Sequence, residues 1–510
     1  MRCRARSGWA RTPVITCPGR PQSPRKESLS SAPSQKYPRD RQLPVKPLGP
    51  RGNRYGAGAP VKARITPSGG VAATDEKPPL PPPASPLYNV RPFAIWKWLT
   101  TQPLSFWFVC IYLFFEYVRP QDIYDAIAGP PYASLSIYTG FACILFERRR
   151  LRFGTPEVML GIFSFILLAA SYTAYSPDAS WEKIDVYISW LVIYFIIVNA
   201  VDTEERFLVF TLSFLIYSFK MSQHASIDWA REGFGFRNWG AVGGPGWFEN
   251  SGEFGIQMCI FLPLMISFIM GLGPYWSRKT RVLWWVAAST IIIGIVGSSS
   301  RGALLGLAAI MVWIVARSKQ RVRAILAIGA LAALTWAFLP AEQKARFDSM
   351  GEDETSMSRT TYWKFGIKLM NENPALGIGY ANWPEYFQNT YGRIALPHNI
   401  FIEAGAELGY AGLGAFVMLI GTTFVINYKS RRLARERPDG GRFLVQMGYG
   451  LDGALIGYMV SGFFVTVLYY PFFWVNFAMS VALMNAVTNS QPPRGVLMRL
   501  RLVPARGKTF

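Results

Sequence analysis

Apolar stretches long enough to cross a lipid bilayer recur along this chain from about residue 100 to residue 490, and they constrain its fold more than any other feature. A spanning helix needs about 20 mostly apolar residues, and a helix satisfies its own backbone polar groups where water cannot reach them. Candidates lie near 103–118, 130–147, 157–175, 186–201, 206–222, 253–273, 282–300, 302–317, 323–340, 400–427, 447–468 and 470–488. The expectation is an all-α polytopic membrane protein with about twelve transmembrane helices. Composition agrees: of 510 residues 51% are hydrophobic and 16% charged, too little charge to coat a soluble core of that size.

A net charge of +22 invites a nucleic-acid reading, yet residues 1–90 hold 16 Lys/Arg against 4 Asp/Glu, so over half the excess sits in one tail. That tail is rich in Pro, Ser and Arg and cannot bury enough apolar surface to offset its ordering entropy. Residues 1–95 are expected to be a disordered cytoplasmic tail, without the apolar core of a cleavable signal peptide. Its clustered cations suit anionic head groups or RNA, and a solvated spacer is the plainer reading. Residues 96–490 then form the membrane domain and 491–510 a second basic tail; no nucleic-acid partner is expected.

Short loops rich in Lys/Arg normally stay in the cytoplasm. The basic clusters are the N-terminal tail, Arg148 to Arg152, Arg278 to Arg281, Arg317 to Arg323, Lys429 to Arg437 and Arg494 to Lys508. Twelve spans put all of them on one side and both termini in the cytoplasm. The same threading leaves two long segments outside, about 223–252 and 341–397, the second leading into a helix that opens with a histidine.

Few side chains offer chemistry. The five cysteines are scattered and imply neither a disulfide framework nor a zinc site, and the histidines are His224 and His398 alone. Ser298-Ser299-Ser300-Arg301-Gly302-Ala303 turns almost directly from one span into the next, which places Arg301 at the outer boundary. Arg301 there either snorkels to the head groups or offers a bidentate hold on phosphate. His398, followed by Asn399, stands where the outer loop enters a helix; it suits a general base at neutral pH, and equally a cap or a satisfied polar residue. Glu403 and Glu407 share one face of that helix, able to orient His398, cap an arginine, or pair structurally. Glu352-Asp353-Glu354 reads as a solvated turn rather than a metal site, and no Gly-rich phosphate loop is present. Neither a metal nor a cofactor is expected.

At these residues the sequence resembles the O-antigen ligase and polymerase family. The match is His398-Asn399, nine residues, then Gly409-x-x-Gly412, preceded by the Ser-Arg-Gly turn at Arg301 and by Arg359, Trp363 and Asn373-Pro374-Ala375-Leu376-Gly377-Ile378-Gly379 in the family's order. The segment FEYVRPQD, Phe115 to Asp122, is similar to members associated with exopolysaccharide and exosortase systems. The resemblance implies a bacterial inner-membrane enzyme whose donor is a glycan on undecaprenyl diphosphate and whose acceptor is a lipid, protein or polysaccharide. It implies that Arg301, with Arg359 or Arg237, holds the diphosphate while His398 activates an acceptor hydroxyl, supported by Asn399 and Glu403. Where such members carry an Asn-rich segment, this chain has Gly246 to Glu253, which puts the role of Asn250 in doubt.

Two other readings remain: a polymerase of lipid-linked repeat units, or a polysaccharide transporter or flippase. A transporter predicts ionisable groups near the midplane. The charges at depth are Glu116, Glu403, Glu407 and Asp452, the first three toward outer ends; Asp452 is the least explained, with Arg442 a candidate partner.

Overall fold

The fold, taken from a computed structural model, is described for residues 85–489 apart from 148–150, 236–239, 319, 339–343 and 345–353. Both expected tails fall largely outside the described residues, although helical structure already begins at the short turn Pro86–Asn89, ahead of residue 95, with Leu87 and Tyr88 buried. Among the described residues there are helices and no strands.

The helices are α1 (Pro92–Leu99), α2 (Leu104–Tyr117), α3 (Tyr132–Phe146), α4 (Thr155–Tyr172), α5 (Pro177–Glu182), α6 (Ile184–Ala200), α7 (Glu204–Arg231), α8 (Ser251–Leu272), α9 (Arg278–Gly297), α10 (Arg301–Arg317), α11 (Arg321–Phe338), α12 (Glu354–Glu372), α13 (Trp383–Tyr391), α14 (Ile400–Arg435), α15 (Arg442–Gly462) and α16 (Pro471–Asn489). Among the described residues six segments are long and apolar enough to cross a membrane: Thr155–Tyr172, Pro177–Ala200, Ser251–Tyr275, Arg278–Gly297, Ile400–Arg435 and Pro471–Asn489. Several other expected spans are shorter; α2 at 14 residues and α3 at 15 rise only about 21–23 Å at 1.5 Å per residue.

α8 and α16 are buried along almost their whole length and form the centre of the bundle. α4 and α9 lie at its edge and present apolar side chains outward, among them Phe165, 73% exposed, and Leu283, 67% exposed. A surface of that kind is stable against lipid tails and costly against water.

Three boundaries depart from the sequence reading. α7 runs on to Arg231, so the segment expected to be an outer loop from 223 is helical for its first nine residues. α15 stops at Gly462 and α16 starts at Pro471, which leaves an eight-residue connector, Phe463 to Tyr470, where the apolar pattern had suggested an almost seamless junction. Asp452 pairs with Arg431 rather than Arg442, and accepts a second hydrogen bond from the Asn427 side-chain amide at 3.0 Å. Arg442 instead donates to the carbonyl of Met270. The register explains the exchange, because Asp452 lies more than two turns into α15, opposite the C-terminal part of α14, while Arg442 is the first residue of α15.

The connections gather into two groups. In one, Tyr175 N–H donates to the Ile378 carbonyl at 2.8 Å, Trp190 Nε1 to the Tyr469 carbonyl at 2.8 Å, and Arg119 Nη1 to the Pro245 carbonyl at 3.2 Å. In the other, Ser105 N–H donates to Glu147 at 3.0 Å, Trp276 Nε1 to the Tyr88 carbonyl at 2.7 Å, and Asn489 Nδ2 to the Asp202 carbonyl at 2.6 Å.

Candidate functional site

His398 sits just before α14 with φ of 48°, a left-handed conformation that costs a non-glycine residue energy and is characteristic of sites where geometry serves chemistry. Its backbone N–H donates to Thr466 Oγ1 at 2.8 Å, which ties it to the connector between α15 and α16. Asn399 is the N-cap of α14: its Oδ1 accepts from the N–H groups of Phe401 at 2.8 Å and Ile402 at 3.1 Å. Asn399 therefore fixes the direction in which the helix leaves His398.

The His398 imidazole is half-buried, and its pKa is pushed down to about 4, first by burial and then by the positive charge of Arg359. The ring is neutral at neutral pH, which leaves a nitrogen lone pair able to accept a proton. Arg359 lies in the second turn of α12, and one turn further along the Tyr362 ring stands 6.5 Å from the imidazole. The next residue, Trp363, packs edge-on against Phe463 of the connector at 5.1 Å and also contacts Phe464 at 6.1 Å.

The start of α10 meets the same connector from another side. Ser300 caps α10 by accepting from Ala303 N–H at 3.3 Å, and Arg301 is the first residue of that helix. A Cβ on Gly302 would come within 3.0 Å of Phe464 Cβ, so the start of α10 and the helix bearing Arg359 press on one phenylalanine. His398, Arg359, Asn399 and Arg301 thus gather at the end of α15. Arg237 lies outside the described residues.

The acids do something other than orient His398. Glu403 accepts from Leu468 N–H at 3.2 Å, and Glu407 from Ala381 N–H at 2.9 Å and Trp383 N–H at 3.0 Å. Both carboxylates pin neighbouring loops. Asn250 donates to Glu253 at 2.6 Å, and the Tyr470 hydroxyl donates to the other oxygen of Glu253 at 3.3 Å.

The glycine motif and the Asn373 to Gly379 segment explain one another. α14 breaks at Gly409, where φ of 67° and ψ of −171° are open only to glycine. The carbonyls freed by the break are taken up by the segment: Ile378 N–H donates to Ala406 and Gly379 N–H to Glu407, both at 2.9 Å, while Tyr410 N–H donates to Pro374 at 2.8 Å. The approach is close enough that a Cβ on Gly377 would lie 2.4 Å from the Glu407 carbonyl carbon. The break makes the stretch from Ile400 to Leu408 a short separate helix, positioned by a loop rather than by the rest of α14.

Thr466, Tyr470 and Tyr362 carry no motif, and sequence reasoning passed over them. The first two were hidden because the connector, Phe-Phe-Val-Thr-Val-Leu-Tyr-Tyr, is apolar enough to read as the end of a span. His224 lies apart, beside Asp228 at 2.8 Å in the lining of a cavity of about 490 Å³ that also touches Asn250. Among the described residues no three His, Cys, Asp or Glu side chains come together as a metal site.

Residues 261–417, which include Arg301, Arg359, His398, Glu403, Gly409 and Gly412, match the family model described as O-antigen ligase. Over that segment the chain is similar to O-antigen ligases. It is also 30% identical over 112 residues to the exopolysaccharide production protein ExoQ of Rhizobium meliloti (strain 1021), a stretch that covers 20% of this chain and 25% of that protein. The O-antigen-ligase-like segment, together with the apolar helices, places the chain among multi-pass membrane proteins.

Proposed function

We propose that this chain transfers a glycan from an undecaprenyl-diphosphate carrier to an acceptor hydroxyl at the outward face of a bacterial inner membrane. The observation that carries the reading is a neutral, half-buried His398 beside Arg359, at the connector that also meets the helix start of Arg301. The two-sided grouping of the connections supports a chain threaded about twelve times, with the basic clusters and both termini on the cytoplasmic side. On this reading 1–95 and 491–510 are cytoplasmic tails, 96–490 is the ligase domain, and 341–397 faces the periplasm.

Arg301 and Arg359, with Arg237 from the earlier loop, hold the diphosphate. His398 takes the proton of the acceptor hydroxyl, the oxygen attacks the anomeric carbon, and the bond from that carbon to the phosphate oxygen breaks. Undecaprenyl diphosphate leaves with the electron pair, and the anomeric carbon inverts. The arginines do two things, since a bound diphosphate also offsets the charge of Arg359 on His398 and makes the imidazole a stronger base once donor is in place. Asn399 and Glu403 support by fixing the helix behind the base.

Extension of the lipid-linked chain, as by a polymerase, is the second reading; the match to an exopolysaccharide production protein favours it over a flippase. Glycan profiling of a deletion strain complemented with the native chain, Arg301→Ala or His398→Ala separates them. Ligation predicts donor of full chain length accumulating with loss of product. Polymerisation predicts donor arrested at one repeat unit, and no change in either pool sinks the transfer reading.

A further inference from the structure

The segment Phe115 to Asp122 takes no part in the proposed transfer, yet it forms one wall of a second cavity. That cavity has a volume of about 350 Å³, and its lining includes Tyr112, Glu116, Gln121, Asp185, Trp190 and Trp247. It lies in the same group of connections as His398, because Trp247 packs on Tyr470 at 4.7 Å, and Trp190 donates to the Tyr469 carbonyl.

Its walls are held in place with care. Arg119 adopts φ of 49°, pairs with Asp122 at 2.8 Å, and donates to the Pro245 carbonyl at 3.2 Å. The guanidinium fills the space where Gly246 has no side chain, since a Cβ there would lie 1.1 Å from Arg119 Nη1. That clamp sets the loop carrying Trp247 against the cavity.

Three buried oxygens lining the cavity, Tyr112 Oη, Glu116 Oε1 and Gln121 Oε1, have no hydrogen-bond partner, and Tyr112 and Glu116 are 2% and 6% exposed. Buried polar atoms left unpaired are costly, and their convergence on one space points to a ligand that pairs them. The chemistry of that ligand can be read from the lining. A carboxylate and an amide oxygen accept hydrogen bonds from hydroxyls, a tyrosine hydroxyl donates or accepts, and two indoles offer flat apolar faces. With Arg119 already paired to Asp122 and Asp185 also in the lining, a phosphate meets no unengaged cation there among the described residues and is a poor occupant. The volume lies at the lower end of small-molecule sites and suits one sugar ring.

We infer that this cavity is a saccharide subsite, in which Glu116, Tyr112 and Gln121 take the hydroxyls of one uncharged pyranose ring of the glycan and an indole covers its apolar face. The inference deepens the proposed transfer function and rests on it for the identity of the glycan, whereas the cavity's affinity for sugar is testable without turnover.

The test is ligand-observed saturation-transfer NMR on the full chain in detergent. The probes are glucose, N-acetylglucosamine, glucuronate, and oligosaccharides released either from the lipid-linked donor pool or from the finished polymer. Expected are saturation of sugar ring protons with the native chain and with His398→Ala, weaker binding of glucuronate than of glucose, and about tenfold weaker binding to Glu116→Gln and Tyr112→Phe. Whichever oligosaccharide pool binds better identifies whether the ring belongs to donor or product. Tyr112→Phe removes a hydroxyl that has no hydrogen-bond partner within the protein, so its melting temperature should not fall; a structural role predicts the reverse. Equal binding by both variants, or no binding of any probe by a chain that still transfers glycan, overturns the subsite and leaves the transfer reading standing. Loss of transfer in none of the site variants, with sugar binding intact, sinks the transfer reading instead.

Discussion

Where α7 and α15 begin, buried charge meets its opposite. Glu204 faces Arg437 at 2.7 Å, Arg437 also reaches Asp439 at 3.1 Å, and Tyr88 donates its hydroxyl to Glu204. Deeper in, Arg431 pairs with Asp452 and donates to the Gly448 carbonyl at 2.7 Å. At the other end, carboxylates meet backbone N–H groups instead, as Glu403 and Glu407 do, and Tyr112 Oη and Glu116 Oε1 have no hydrogen-bond partner. Arginines thus meet the buried carboxylates at one end, whereas backbone N–H groups meet Glu403 and Glu407 at the other. On the proposed function, the second end is where transfer takes place.

Substitutions should divide along the same line. His398→Ala removes the proposed base and should lower transfer by roughly 10²–10⁴-fold in a membrane assay with lipid-linked donor, with the protein still inserted at native level. Retained transfer would remove His398 from the chemistry. Arg359→Ala should cost about 10²-fold and leave a second mark. Because Arg359 holds the His398 pKa down, its loss raises that pKa, and the acidic limb of the rate profile should move to higher pH. An unmoved limb would mean that the two side chains do not communicate.

Asp452→Ala belongs to the other end. It leaves Arg431 charged and buried, and should destabilise the chain by roughly 3–5 kcal/mol while the rate per folded molecule is preserved. A thermal melt in detergent alongside specific activity would show it, and a large loss of specific activity would mean that Asp452 serves the transfer itself. Gly409→Ala forces a side chain into backbone space open only to glycine and should cost roughly 1–3 kcal/mol, with a loss of transfer that follows the loss of melting temperature. The smallest effect is expected from Thr466→Val, which removes the acceptor of the His398 N–H and should slow transfer by about tenfold or less.

Much of the bundle could be read from apolar runs, and the candidate site was proposed from the His-Asn and glycine motif. What escaped did so for identifiable reasons. The break at Gly409 lies inside a continuous apolar run, and only the distant Pro374 to Gly379 segment, which satisfies the freed carbonyls, makes it possible. The connector of Phe463 to Tyr470 is as apolar as the helices it joins, so periodicity could not mark its ends. Arg431 was concealed in a basic cluster that reads as a cytoplasmic loop, while in three dimensions it is the buried partner of Asp452. Composition reports the medium that surrounds a segment. It does not report which backbone groups another segment will satisfy.

The stitching at Gly409 has a mechanical meaning. The stretch that enters the break follows directly on the helix bearing Arg359, and the short helix on the near side of the break starts at the residue after Asn399. Arg359 and His398 are thereby carried by two helices fastened together at one glycine break. On the proposed function, that fastening sets the spacing between a side chain that holds the diphosphate and the base.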